Sequence, residues 1–207
     1  HAEALRTMAL VARALGREAE ADSYAERWEA VRRAFAAEYV GDDGAMEPDL
    51  QGVYVLALAF DLIPDAERRR AAADRLAALV EAAGRHLDTG FLSVPFLLDV
   101  LVDAGREDLA WAVLAQDTAP SWLYEVARGA TTIWESAVAP DGTVGAMSFN
   151  HYAFGCVDDW LFRRVGGIEA AEPGFRRVRV APLTDGPVSW ARSHRDTPFG
   201  RVAVSWA

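Results

Sequence analysis

The stretch from His86 to Gln116, HLDTGFLSVPFLLDVLVDAGREDLAWAVLAQ, decides the fold. After a short loop, Pro95 to Asp103 is almost wholly apolar and reads as a buried helix. Gly105 breaks it, and a second helix is expected from about Arg106 to Gln116. The same order of helix, short loop, helix recurs upstream. LQGVYVLALAFDLI (50–63) is nearly all apolar, as a helix buried on most sides must be, and Asp49 is expected to cap it next to Gln51. Pro64 opens PDAERRRAAADRLAALVEAAG, whose acidic first turn suits the positive end of the helix dipole. Residues 2–40 read as two more helices. Leu5, Met8, Leu10, Val11 and Leu15 recur at near-helical spacing before Gly16, and Tyr24, Trp28, Val31, Phe35 and Tyr39 share a second stripe. No repeat of fixed length emerges. Hairpins that alternate a strongly apolar helix with an amphipathic one fit a double ring, the inner helices sheltered and the outer ones wet.

At Pro173 the pattern changes. PGFRRVRVAP (173–182) and PVSWARSHRDTPFGRVAVSWA (187–207) alternate apolar with polar residues, the period of half-exposed strands. Thr197-Pro198-Phe199-Gly200 reads as the turn of a hairpin. So few strands do not stand alone in water and must lean on helices or belong to a larger β-domain. The fold class expected is therefore mainly α, a partial double ring over 1–170, followed by antiparallel strands over 171–207.

Composition narrows the function. A chain of 207 residues with 52% hydrophobic and 25% charged residues builds a globular core. No apolar run reaches the roughly 20 residues of a membrane span. A net charge of −10 repels phosphates and excludes a nucleic-acid partner. One cysteine, Cys156, excludes an internal disulfide and any cysteine-based metal cluster, and His1 and His194 have no sequence partners that suggest a metal site. A cytoplasmic location is expected, although a disulfide-free exported protein fits the same composition. The chain lacks an initiator Met and is read as beginning partway through a longer polypeptide. Gly-rich phosphate loops, HExxH and Gly-x-Ser-x-Gly are all missing from the sequence, which removes the commonest nucleotide, zinc-protease and esterase readings.

The chemistry-bearing stretch is GATTIWESAVAPDGTVGAMSFNHYAFG, Gly129 to Gly155. Glu135 follows Trp134 and precedes a polar, Gly-containing loop. A carboxylate beside an indole activates water or accepts from sugar hydroxyls while the ring stacks on a sugar face. The alternative is an exposed glutamate near a helix start. Asn150, His151 and Tyr152 offer donors and acceptors to a ligand or to Glu135; alternatively Ser148 or Asn150 caps the following helix and His151 shares its first turn. Trp122 and Tyr124 form an aromatic wall or pack in the core. Arg128 pairs with a carboxylate of the site or with Glu125 one turn back, and His86 is read as a satisfied loop residue.

These residues, RGATTIWES, SFNHYAFGCVDDWLFRRVGGI and PGFRRVRVAP in this order, resemble the C-terminal part of bacterial α-L-rhamnosidases of glycoside hydrolase family 78. DLQGVYVLALAFDLIP and the segment from His86 to Val126 fit the same pattern, so the resemblance covers nearly the whole chain. It implies the later hairpins of an (α/α)6 barrel running into a C-terminal β-sandwich. It also implies cofactor-free, inverting hydrolysis of terminal α-L-rhamnose from glycosides or polysaccharides. Glu135 falls on the family's general base and His151 on its sugar-binding histidine, with Trp134 beside the base; Trp122, Arg128 and Asn150 remain substrate-binding candidates from the residues themselves. The family's general acid lies upstream of anything matching this chain. After the base the family continues Arg-Trp-Asp with a longer insertion, where this chain has Ser136-Ala137. The rival readings are a non-catalytic helical scaffold, a sugar-binding remnant, or another (α/α)6 glycosidase. A partial ring leaves helix flanks bare, so self-association is expected.

Overall fold

The computed structural model describes residues 1–135 and 148–207. It divides into two compact units, residues 1–107 and 108–207.

The first unit is all helical: α1 Ala2–Ala14, α2 Glu18–Tyr39, α3 Gln51–Ala59, α4 Ala66–Ala82 and α5 Val94–Asp103. Helix α1 packs on α2, while α3 packs on both α4 and α5. The buried face of α1 is Ala2, Leu5, Ala9 and Ala12, at spacings of three and four. Of the apolar stripe expected there, only Leu5 is buried; Met8, Leu10, Val11 and Leu15 are exposed. Small residues let the two helices approach closely, and the bulky ones are left outside. On α2, Tyr24, Trp28, Val31 and Phe35 are half-buried and Tyr39 is exposed. Helix α3 has no exposed residue, as its composition demands. Tyr54, Val55, Leu76, Val80, Leu97 and Leu101 form a dry core between α3, α4 and α5. Each such side chain contributes about 1.5–3 kcal/mol of transfer free energy.

Two local readings need correcting. Helix α3 is not capped by Asp49, since Leu50 occupies the cap position without a side-chain bond. Asp49 instead accepts the Tyr54 hydroxyl at 2.8 Å and the Arg75 Nε at 3.0 Å, a long-range tie that local sequence cannot reveal. Pro64 does not open α4 either. Asp65 is the cap, accepting the Arg68 N–H at 2.8 Å, and the helix starts at Ala66.

The second unit begins within α6 (Glu107–Leu114) and continues with α7 Trp122–Ala127, whose cap Ser121 accepts the Tyr124 N–H. A 3-10 turn (Ala153–Cys156), α8 (Val157–Trp160) and a π turn (Leu161–Val165) form the helix that follows His151. Trp111 and Trp160 meet edge to face at 5.4 Å. Strand β1 (Ile168–Ala170) pairs antiparallel with β2 (Val178–Val180), and β3 (Ala191–Thr197) with β4 (Gly200–Trp206). The β3–β4 turn lies at Pro198-Phe199, as the sequence predicts, closed by Gly200 at φ 115° and by the Thr197 hydroxyl donating to the Gly200 carbonyl. Sequence reading did not foresee β1, which is only three residues long. The hairpin leans on the helical part as expected: Trp206 Nε1 donates to the Val165 carbonyl and Ser193 Oγ to that of Gly166.

Candidate functional site

Within the second unit, helix α7 ends at Arg128, where the Glu125 carbonyl accepts the N–H groups of Arg128 and Ala130. Gly129 at φ 82° then turns the chain into Thr131-Thr132-Ile133-Trp134-Glu135. This segment pairs with residues 148–151. The Thr132 hydroxyl donates to the Phe149 carbonyl, His151 N donates to Ile133 O at 2.8 Å, and Glu135 N donates to Ser148 O at 2.9 Å. Alternate backbone groups point to opposite sides, so the N–H of Trp134 faces away from that pairing. It donates instead to Glu125 Oε2 at 3.2 Å.

Glu135 is half-buried. Its Oε2 accepts the Ser148 N–H at 3.0 Å, and it forms no ion pair among the described residues. The second oxygen of a carboxylate tethered through one oxygen can accept from a ligand or a water. Trp134 is buried and stands edge to face with Phe149 at 5.4 Å. His151 is half-buried and lies nearly parallel to the exposed Tyr152 ring. Its Nδ1 lies 3.3 Å from the Ala153 N, which can only donate. Nδ1 therefore accepts, and the neutral imidazole carries its proton on Nε2, as a hydrogen-bond donor. The same contact makes His151 the side chain that satisfies the first N–H of the 3-10 turn. Neither Ser148 nor Asn150 caps it: Ser148 Oγ instead closes a local turn with the N–H and carbonyl of the exposed Asn150.

The remaining candidates stand further from this cluster chemically. Trp122 is buried, and its indole N–H is committed to the Phe154 carbonyl at 2.8 Å, which favours packing over an aromatic wall. Arg128 is exposed and sits over the Tyr124 ring at 4.9 Å, without an ion pair to Glu125. His86, in the first unit, has Nδ1 2.9 Å from the Ala83 carbonyl, as a satisfied loop residue would. The loop after Glu135, residues 136–147, lies outside the described residues. No cluster of three metal-ligating side chains occurs among the described residues.

Sequence reading named Glu125 only as a partner for Arg128. Its side chain is 4% exposed, and burial pushes its carboxyl above the ordinary 4.5, the Trp134 N–H bond pulling part of the way back. Glutamate in an amphipathic-looking PSWLYEVARG gives no signal of burial or of its bond to the Trp134 N–H nine residues on.

A family profile described as bacterial alpha-L-rhamnosidase 6 hairpin glycosidase domain matches residues 1–165, and one described as bacterial alpha-L-rhamnosidase C-terminal domain matches residues 167–207. An α-L-rhamnosidase of Streptomyces avermitilis is 43% identical over 192 residues, covering 90% of this chain and 18% of that protein. One of an Alteromonas species is 37% identical over 199 residues, covering 93% of this chain and 22% of that protein. Among solved structures, the S. avermitilis α-L-rhamnosidase complexed with L-rhamnose superposes with a TM-score of 0.93 at 42% identity, covering 99% of this chain and 20% of that one. The α-L-rhamnosidase of Aspergillus terreus gives 0.94 at 32% identity, with 99% and 24% covered. The chain thus spans about a fifth of the length of the relatives it matches.

Proposed function

The chain belongs to the bacterial α-L-rhamnosidase family, and from that premise we propose that it carries the base half of an inverting α-L-rhamnoside hydrolase. The substrate is a rhamnose-containing glycoside or polysaccharide. The observation that carries this reading is the Glu135 carboxylate, half-buried, tethered by the Ser148 N–H and without an ion pair among the described residues. Such a group can take the proton of an attacking water. The Nε2–H of His151 supplies a donor for a sugar hydroxyl, with Asn150 beside it. Trp134 holds the base in place through its buried ring. Inversion needs a second carboxyl roughly 6.5–9.5 Å from the base, protonated to serve the leaving oxygen. The reading places that acid outside these 207 residues, and the domain boundary near residue 170.

General acid or base help is worth about 10²–10⁴-fold per group, so the chain by itself is expected to turn over an aryl α-L-rhamnoside slowly or not at all. The test compares this chain with the complete protein that carries it, each with and without Glu135→Gln. Expected are a near-inert chain, an active complete protein that releases rhamnose with inverted anomeric configuration, and loss of that activity in Glu135→Gln. An active Glu135→Gln refutes the base assignment, and full turnover by the chain alone refutes the missing acid. Self-association belongs to the same reading, supported by the exposed Leu10, Val11 and Leu15 of α1. Sedimentation of the chain as a clean monomer counts against it.

A further inference from the structure

We infer that Glu125 is a positioning residue for Glu135, its buried carboxylate fixing the Trp134 N–H and through it the backbone that presents the base. The inference rests on the proposed role of Glu135. Three observations carry it. The 132–135 segment is held on one side by the backbone of 148–151, through Ile133 and Glu135. On its other side, Trp134 N donates to Glu125 Oε2 at 3.2 Å. Glu125 also fixes the end of α7 through its own carbonyl, which accepts from both Arg128 and Ala130. One residue therefore ties the helix end to the backbone N–H of Trp134, the residue directly before the base.

What the tie needs from position 125 is a hydrogen-bond acceptor at that place, and the carboxyl that supplies it is 4% exposed and without an ion pair among the described residues. A shift of about 1 Å in a catalytic group is worth up to about 10²-fold in rate, so the tie acts on turnover more than on substrate affinity.

The test uses the complete protein that carries this chain, assayed on an aryl α-L-rhamnoside, with Glu125→Met, Glu125→Gln and Glu135→Gln. Methionine keeps length and burial but removes the acceptor, whereas glutamine keeps a carbonyl acceptor without the carboxyl. Expected are a kcat lowered at least tenfold in Glu125→Met with KM within about threefold, and recovery to within about threefold of the parent in Glu125→Gln. Parent-like kcat in folded Glu125→Met, or equal damage in Glu125→Gln, overturns the inference while the base assignment stands. Full activity in Glu135→Gln overturns both. Should Glu125→Met fail to fold, amide exchange at Trp134 decides in Glu125→Gln. Parent-like protection with parent-like kcat supports the tie, and fast exchange with parent-like kcat overturns it.

Discussion

Tyr54→Phe isolates one buried hydrogen bond in the first unit. The Tyr54 ring is fully buried, and its hydroxyl accepts the Met46 N–H at 3.0 Å while donating to Asp49 Oδ1 at 2.8 Å. Phenylalanine keeps the ring and removes only the oxygen. Asp49 loses little, since Arg75 still binds it through Nε at 3.0 Å. The Met46 N–H loses its acceptor in a residue only 2% exposed, so the cost falls there. An orphaned buried donor costs about 1–3 kcal/mol, which puts the expected loss near 2 kcal/mol. With a urea slope of about 2 kcal/mol per molar, the midpoint falls by about 1 M at unchanged slope. Urea unfolding followed by far-UV circular dichroism reads this directly. A midpoint shift below about 0.3 M shows that Met46 N–H finds another acceptor, and the reasoning fails.

Gly186→Ala drives a methyl to within 2.5 Å of Trp111 Cδ2 and Cζ2, in a ring that is itself packed on Trp160. Overpacking at this severity is expected to cost about 3 kcal/mol, and a thermal midpoint unchanged within about 1 °C refutes it. The raised folded-state pKa of Glu125 means the native state holds its proton to higher pH than the unfolded chain. Stability is therefore lost as pH rises from about 4.5 through the raised folded value, and the melting-point advantage of Glu125→Gln over the parent widens from acid to neutral pH; a constant gap contradicts this. Burial pushes the Cys156 thiol up to about 11. Its reaction with a disulfide reagent at pH 8 is expected to be about a hundredfold slower than that of an unburied cysteine, and equal rates in the folded protein overturn the assignment.

The strongly patterned elements were legible because their signals are local. A nearly apolar run such as 50–63 is sheltered as a helix buried on most sides, and its flanking helices follow from apolar period and capping residues. Thr197-Pro198-Phe199-Gly200 announces its turn because a glycine accepts the positive φ there. Motif order singles out Glu135, Trp134 and His151 as candidates. What each atom does was not legible there. The tautomer of His151 depends on where the Ala153 N–H lies, and the tether on Glu135 depends on where the Ser148 N–H lies.

The sequence by itself determined a helical chain ending in strands, its family, and the short segment where chemistry is sought, since each of these rests on patterns within a few turns of backbone. Only tertiary structure decided that Ala2, Leu5, Ala9 and Ala12 form the buried face of α1 while the rest of the bulky stripe is exposed, that Asp49 ties to Arg75 rather than caps α3, and that Glu125 is buried with its carboxyl on the Trp134 N–H. Burial and pairing are set by what returns from elsewhere in the chain, and desolvation and hydrogen bonding act on that neighbourhood, not on residue type.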